Sequence, residues 1–293
     1  MKSYKALVTE ISMFLVTEVI AIYVGLSMIS AGVREEIMIE STAEGIGVFG
    51  ISMFIATLLI VVLIKYMNKR FIFKGIFAWL IFIGSLFVFE PVIGSLKIVE
   101  PTSVLPIAAM LSISLVVLRF KKPVVWVQNL AMILAIAGVS PQLAMYFGTP
   151  TIIAILLLAS VYDYIAVFKT KHMMTMFENL MKHDTAFAFV IPEEGSAKGK
   201  VSKAMHKKKK KGVREYYLLG TGDIAFPTIF IVALLADYSP LSAGFALIGS
   251  IVGLVLDHII LMKLQKPIPA LPTIAVCSIL GFLLSLVVIA LVV

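Results

Sequence analysis

The chain has 293 residues, 60% of them hydrophobic and only 14% charged, with a mean hydropathy of +1.05. A soluble domain is nearer half apolar and about a quarter charged, so this composition excludes a water-soluble globular protein and makes lipid the fitting solvent. The formal net charge of +8 does not point to nucleic acid, because the basic residues lie between apolar runs and no aromatic residues interleave with the main lysine run.

Apolar runs of about 20 residues, the length a spanning helix needs, are predicted near 6–30, 46–64, 71–89, 102–118, 124–146, 150–168, 216–236, 241–262 and 270–293. The expected fold is therefore an all-α polytopic bundle of nine transmembrane helices. The first run follows Lys2 and Lys5 but continues to about Ile29 and carries Glu10 and Glu18, so it reads as a membrane helix rather than a signal peptide. Breaks between later runs are marked by Glu90-Pro91, Lys122-Pro123, Gly148-Thr149-Pro150, Tyr238-Ser239-Pro240 and Lys266-Pro267. The fourth run is short and contains Pro106. Residues 1–168 hold helices one to six, 169–215 form a basic cytoplasmic loop, and 216–293 hold helices seven to nine, all in one membrane-embedded domain. The loop ends in the run Lys207 to Lys211, a solvated topological anchor suited to anionic headgroups. Within it, Thr185 to Ile191 is rich in strand formers and is expected to make a short strand or a plug near the membrane. Cys277, the only cysteine, allows no disulfide within the chain and reads as a small packed hydrophobe.

Cytoplasmic loops retain Lys and Arg. With the N-terminus inside, every basic residue except Arg34 and Lys97 falls in an inner segment, and those two share their loops with Glu35, Glu36, Glu40, Glu44, Glu90 and Glu100. A wrong helix count would scramble this alternation. The partition thus supports nine spans, a cytoplasmic N-terminus and an outer C-terminus.

An ionisable side chain inside a spanning segment costs several kcal/mol and is a functional candidate by default. Here the candidates are Glu10, Glu18, Asp163, Asp223 and Asp257, with His258 beside the last. Asp163 and Asp257 each lie six residues before a lysine, at Lys169 and Lys263, which is about 9 Å of helix. Asp223 lies eight residues past Glu215, about 12 Å in. All three fit one layer near the cytoplasmic side, whereas Glu10 and Glu18 read as bundle-facing polar contacts. Two carboxyls in a partly dry site share one proton. That arrangement lets one take a proton from water while the other donates to a carbonyl oxygen, with neither metal nor covalent intermediate. Spacing alone leaves three aspartates for two places. Gly220 and Gly222 before Asp223 clear space for a second backbone, and Pro267-Ile268-Pro269-Ala270-Leu271-Pro272, with three prolines in six residues, leaves backbone carbonyls without intrahelical partners.

Together these features resemble the presenilin and signal peptide peptidase family of intramembrane aspartyl proteases. Tyr162-Asp163 matches the family's Tyr-Asp motif, Gly220-Thr221-Gly222-Asp223 matches Gly-x-Gly-Asp, and Pro269-Ala270-Leu271 matches Pro-Ala-Leu before the last helix. The order of the motifs on helices six, seven and nine extends the likeness over the whole chain, which looks like an archaeal presenilin homologue. The resemblance implies that Asp163 and Asp223 are the catalytic pair, rather than Asp257. It also implies that Tyr162, Gly220, Gly222, Pro269, Ala270 and Leu271 shape the site and hold substrate. The N-inside start is the presenilin orientation, while Asp223-Ile224-x-x-Pro227 looks closer to signal peptide peptidases, and Thr221 stands where eukaryotic members usually have Leu. No cofactor or metal is implied. The expected partners are single-span membrane proteins as substrates, the lipid bilayer and a second copy of the chain, with no nucleic acid.

A proton-coupled transporter or ion-leak pathway using the same buried acids is the alternative, followed by a purely structural role for them. A zinc protease is disfavoured because His172, His183 and His206 lie in the polar loop and no His-Glu-x-x-His occurs. A serine–histidine pair is disfavoured because Ser250 and His258 stand about 12 Å apart along one helix.

Overall fold

Lipid offers the backbone no hydrogen-bond partners, so a chain this apolar satisfies its amides internally, as helices. The computed structural model describes residues 2–39, 41–66, 70–122, 124–170, 188–192, 216–264 and 268–292. The Lys207 to Lys211 run and His172, His183 and His206 lie outside the described residues. In chain order the elements are α1 (Lys2–Ser30), the short α2 (Val33–Ile37), α3 (Thr42–Tyr66), α4 (Arg70–Leu96), α5 (Pro101–Lys121) and α6 (Val125–Tyr146). They continue with α7 (Thr149–Ile165), a π-turn over Ala166–Thr170, β1 (Ala188–Pro192), β2 (Tyr216–Gly220), α8 (Thr221–Asp237), α9 (Pro240–Leu264) and α10 (Leu271–Val292). Among the described residues, 7 helices are long and apolar enough to cross a membrane: α1, α4, α5, α6, α7 with its π-turn, α9 and α10.

Two boundaries differ from the expected ones. Pro91 does not end α4, which runs on to Leu96. The Tyr23 hydroxyl from α1 donates to the Pro91 carbonyl and to Ser95 Oγ, holding this last stretch against α1. The seventh apolar run is helical only from Thr221, and its first five residues form β2 instead. Tyr216 to Leu219 favour a strand, and Ala188–Pro192 supplies an antiparallel partner, pairing Ala188 with Gly220 through Pro192 with Tyr216. Of the strand-forming stretch Thr185 to Ile191, Ala188 to Ile191 is thus a strand and 185–187 lie outside the described residues, and β2 runs without a break into α8.

The core is built around α6 and α8. Ile229 to Leu234 on α8 are buried, as is most of α6, with α1, α4 and α7 packed around them. Cross-links at two levels fix α8 against its neighbours α7 and α1. At the far end of α8, Asp237 pairs with Arg34 and also accepts the Thr149 N–H (2.8 Å) and hydroxyl (2.6 Å) at the start of α7. Halfway along, buried Thr228 donates to Glu18 on α1. This is the helix contact expected of Glu18.

The last two helices pack most closely. A Cβ at Gly249 would strike the Cys277 carbonyl, and one at Gly253 would sit 2.6 Å from Ile274 Cα, so bare glycine lets the α9 and α10 backbones touch. This close packing presses the start of α10, with the Pro-Ala-Leu segment, against the α9 turn that carries Asp257.

Candidate active site at the ends of the seventh, eighth and tenth helices

Asp163 sits in the last turn of α7, just before the π-turn. Single-turn π geometry often marks functional positions in helices. Its side chain is buried, with 8% exposure. Asp223 occupies the first turn of α8, where unpaired N–H groups and the helix dipole favour a carboxylate. The Gly220 N–H donates to the Asp223 carboxyl, and a Cβ on Gly220 would come 3.0 Å from Oδ2. The glycine therefore leaves room for the acid.

The Leu271 backbone N–H, at the start of α10, lies close enough to both Asp163 and Asp223 to act on each as a hydrogen-bond donor. One amide therefore ties together the two aspartates, from α7 and α8, and the Pro-Ala-Leu segment. The charges of the two carboxyls act on each other directly. Pro269, Ala270 and Leu271 are all buried beside them. Gly222 faces a different space, an apolar crevice of about 210 Å³ between α4, α6 and α8 that also borders Thr221. Tyr162 is not drawn in. Its side chain is 53% exposed on the outer face of α7.

Side-chain amides on α6 hold the first strand of the pair. Asn129 on α6 donates to the Val190 carbonyl (2.8 Å) and accepts its N–H (2.9 Å), and Gln128 donates to the Ala188 carbonyl (3.2 Å). In an antiparallel ladder, alternate residue pairs exchange bonds and the others point outward. Ala188 and Val190 therefore point toward α6, and the ladder bonds run through Phe189–Leu219 and Ile191–Tyr217. By the same alternation, Leu218 and Gly220 on β2 turn their backbone groups to the opposite edge. The Gly220 N–H bound to Asp223 agrees with this.

Sequence reasoning did not single out Asn129 and Gln128. Their signal was two adjacent amides in the apolar run that became α6. It also gave the third acid no place in the site. Asp257, at 9% exposure, lies close enough for its charge to act on Asp163 and Asp223, and its Oδ1 has no hydrogen-bond partner among the described residues. Beside it, His258 Nδ1 lies 2.9 Å from Glu10 Oε2 on α1. Among the described residues, no group of His, Cys, Asp or Glu side chains is arranged to hold a metal ion.

The shared amide yields a direct test. Proline is tolerated at a first helical position but lacks the N–H. Each hydrogen bond to a charged group is worth about 1.5–3 kcal/mol, so Leu271→Pro should lower peptide cleavage by about 100-fold or more. Leu271→Ala keeps the donor and should lose far less. Cleavage rates of a membrane-helix reporter, with thermal unfolding as a folding control, distinguish the two.

The profile of the family described as "Signal-peptide peptidase, presenilin aspartyl protease" matches residues 11–291. No curated protein matches the chain. Among solved structures, one titled as a presenilin family intramembrane aspartate protease in a P2 space group is similar at a TM-score of 0.66. It has 25% identity to this chain, over 95% of this chain and 96% of that one. A second, titled as the same kind of protease in a C222 space group, has a TM-score of 0.67 and 24% identity over 96% and 99% of the two chains. The chain is a multi-pass integral membrane protein and belongs to the signal-peptide peptidase and presenilin family of intramembrane aspartyl proteases.

Proposed function

We propose that Asp163 and Asp223 are the catalytic pair of this protease. Family membership makes the chain an intramembrane aspartic endopeptidase, and the observation that carries the residue assignment is the Leu271 N–H shared by both carboxyls. With one proton between the two acids, the ionised member draws a proton from water as the oxygen attacks the peptide carbon. The protonated member donates to the carbonyl oxygen, giving a tetrahedral diol. As that species collapses, the C–N bond breaks, the diol gives its proton back to the pair, and the leaving amine takes a proton. The Leu271 amide stabilises the negative charge that the pair carries between these steps.

The substrates in this reading are single-span membrane proteins cleaved within their transmembrane helices. A helix hides its carbonyls in i to i−4 bonds, so the segment to be cut must unwind first. The freed strand docks along the outer edge of β2, at the Leu218 backbone groups, beside Pro269, Ala270 and Leu271. Gly220 keeps the approach to Asp223 clear, Gly222 gives α8 a bare face on the apolar crevice, and Tyr162 anchors the outer face of α7 in lipid. Helices α3 and α8 complete nine spans. The 17-residue α8 covers about 25 Å of bilayer, and β2 supplies the remainder. The distribution of Lys and Arg supports a cytoplasmic N-terminus, an outer C-terminus and a cytoplasmic 169–215 loop within one membrane-embedded unit. The protease works on substrate as a single chain or as a homo-oligomer and needs no cofactor.

Asp163→Ala and Asp223→Ala should each abolish cleavage of a single-span reporter while leaving the fold intact, and cleavage by either variant removes that residue from the pair. The wild-type rate should rise with pH as one carboxyl ionises and fall as the other loses its proton. A flat profile contradicts the shared proton. Leu218→Pro tests the docking edge, because it removes an outward N–H without touching the ladder bonds to β1. It should raise KM by about tenfold, the value of one to two hydrogen bonds, and unchanged kinetics would place the substrate strand elsewhere.

A further inference from the structure

Beside Asp223, among α1, β2, α9 and the segment that leads into α10, lies a cavity of about 150 Å³. Its polar wall consists of Glu10, Asp223, Asp257 and His258, while Leu219 of β2, Leu254 and Leu261 of α9, and Ile268, Ala270 and Ile274 close the apolar side. A water molecule needs about 30 Å³ and two to four polar partners, so the space suits a small cluster of waters. Asp257 Oδ1 is buried, lines this wall and has no partner among the described residues. An unpaired carboxylate oxygen in a bundle interior is costly unless something else fills its hydrogen bond. Glu10 is already engaged by His258.

We infer that this cavity is the water store of the reaction, and that Asp257 is a positioning residue that orders water beside Asp223 and sets the charge that the pair works against. The inference rests on Asp163 and Asp223 being the catalytic pair. Peptide hydrolysis consumes one water for each bond, and lipid supplies none, so the site needs a local source. The charged groups facing Asp257 are Glu10 from α1, Asp163 from α7, Asp223 from α8 and His258 on its own helix. The Glu10–His258 contact holds two of these together, and Asp257 remains as the acid whose charge bears on the pair. The enzyme thus uses three acids in two roles: two exchange protons with substrate, and one, just beside them, holds the water.

The test uses the full chain in lipid vesicles with a single-span reporter, measuring kcat and KM from about pH 4 to about pH 9. Asp257→Asn keeps the shape but loses the charge. It should lower kcat by about tenfold, leave KM within about twofold, and move the whole pH–rate profile to lower pH by about half a unit to one unit, since a neighbouring negative charge opposes ionisation of the pair. Asp257→Glu should restore the wild-type profile. An Asp257→Asn enzyme with unchanged kcat and profile, or with a changed KM alone, overturns the inference. A folded Asp257→Asn enzyme that is dead at every pH also overturns it, and makes Asp257 one of the pair. Cleavage by Asp163→Ala or Asp223→Ala instead brings down the assignment beneath it, so the two failures are distinguishable. If Asp257→Asn does not assemble, Leu261→Phe narrows the same cavity from its apolar wall. A lowered kcat at unchanged KM then supports the inference, and an unaltered kcat overturns it.

Discussion

The N–H of Leu271 acts as a hydrogen-bond donor on two carboxyls at once, one at the end of α7 and one at the start of α8. The rest of the site depends on this contact. A helix leaves its first N–H groups without intrahelical partners, and α10 begins at Leu271, so the amide is free to bind an acid. Pro269 and Pro272 on either side have no N–H to compete. The dipole of α10 adds positive potential at the same point, as does that of α8 at Asp223. The Pro-Ala-Leu segment is therefore an electrostatic anchor as well as a bend: it holds both acids in place and steadies their shared charge.

Holding an amide at that point requires the three helices to be braced elsewhere. Asp237, Arg34 and Thr149 bind the far ends of α7 and α8 together, and Thr228 and Glu18 tie α8 to α1 halfway. Gly249 and Gly253 bring α10 against α9. The strand pair is held differently, with Asn129 and Gln128 bonded to the β1 backbone on its α6 side. On the other strand, β2 turns the Leu218 and Gly220 backbone groups away from β1 and runs directly into the helix that carries Asp223.

Much of this was legible in the sequence because the membrane imposes long-range rules on local patterns. Runs of about 20 apolar residues predict spans, and the exceptions within them, Asp163, Asp223, Asp257, Glu10 and Glu18, mark the buried polar contacts. The order of Tyr-Asp, Gly-x-Gly-Asp and Pro-Ala-Leu singles out Asp163, Asp223 and Leu271, which the fold brings together. Three features were not legible. Residues 216–220 are apolar enough for a helix and become a strand only because Ala188–Pro192, far off in the chain, pairs with them. Tyr162 belongs to a motif yet faces outward, since side-chain direction depends on where α7 packs rather than on its neighbour in sequence. Asp257 could not be separated from Asp163 and Asp223 by depth; the separation depends on which carboxyls meet the Leu271 amide.

The most direct measurement of the central claim is an experimental structure of the wild-type chain in lipid with a peptide-like inhibitor carrying a hydroxyl in place of the scissile carbonyl. The account expects that hydroxyl to lie within hydrogen-bond reach of both Asp163 and Asp223, with the Leu271 N–H still donated to the pair. A hydroxyl gripped by Asp257 would contradict it, as would Asp163 and Asp223 carboxyls more than about 10 Å apart, beyond the reach of one shared water.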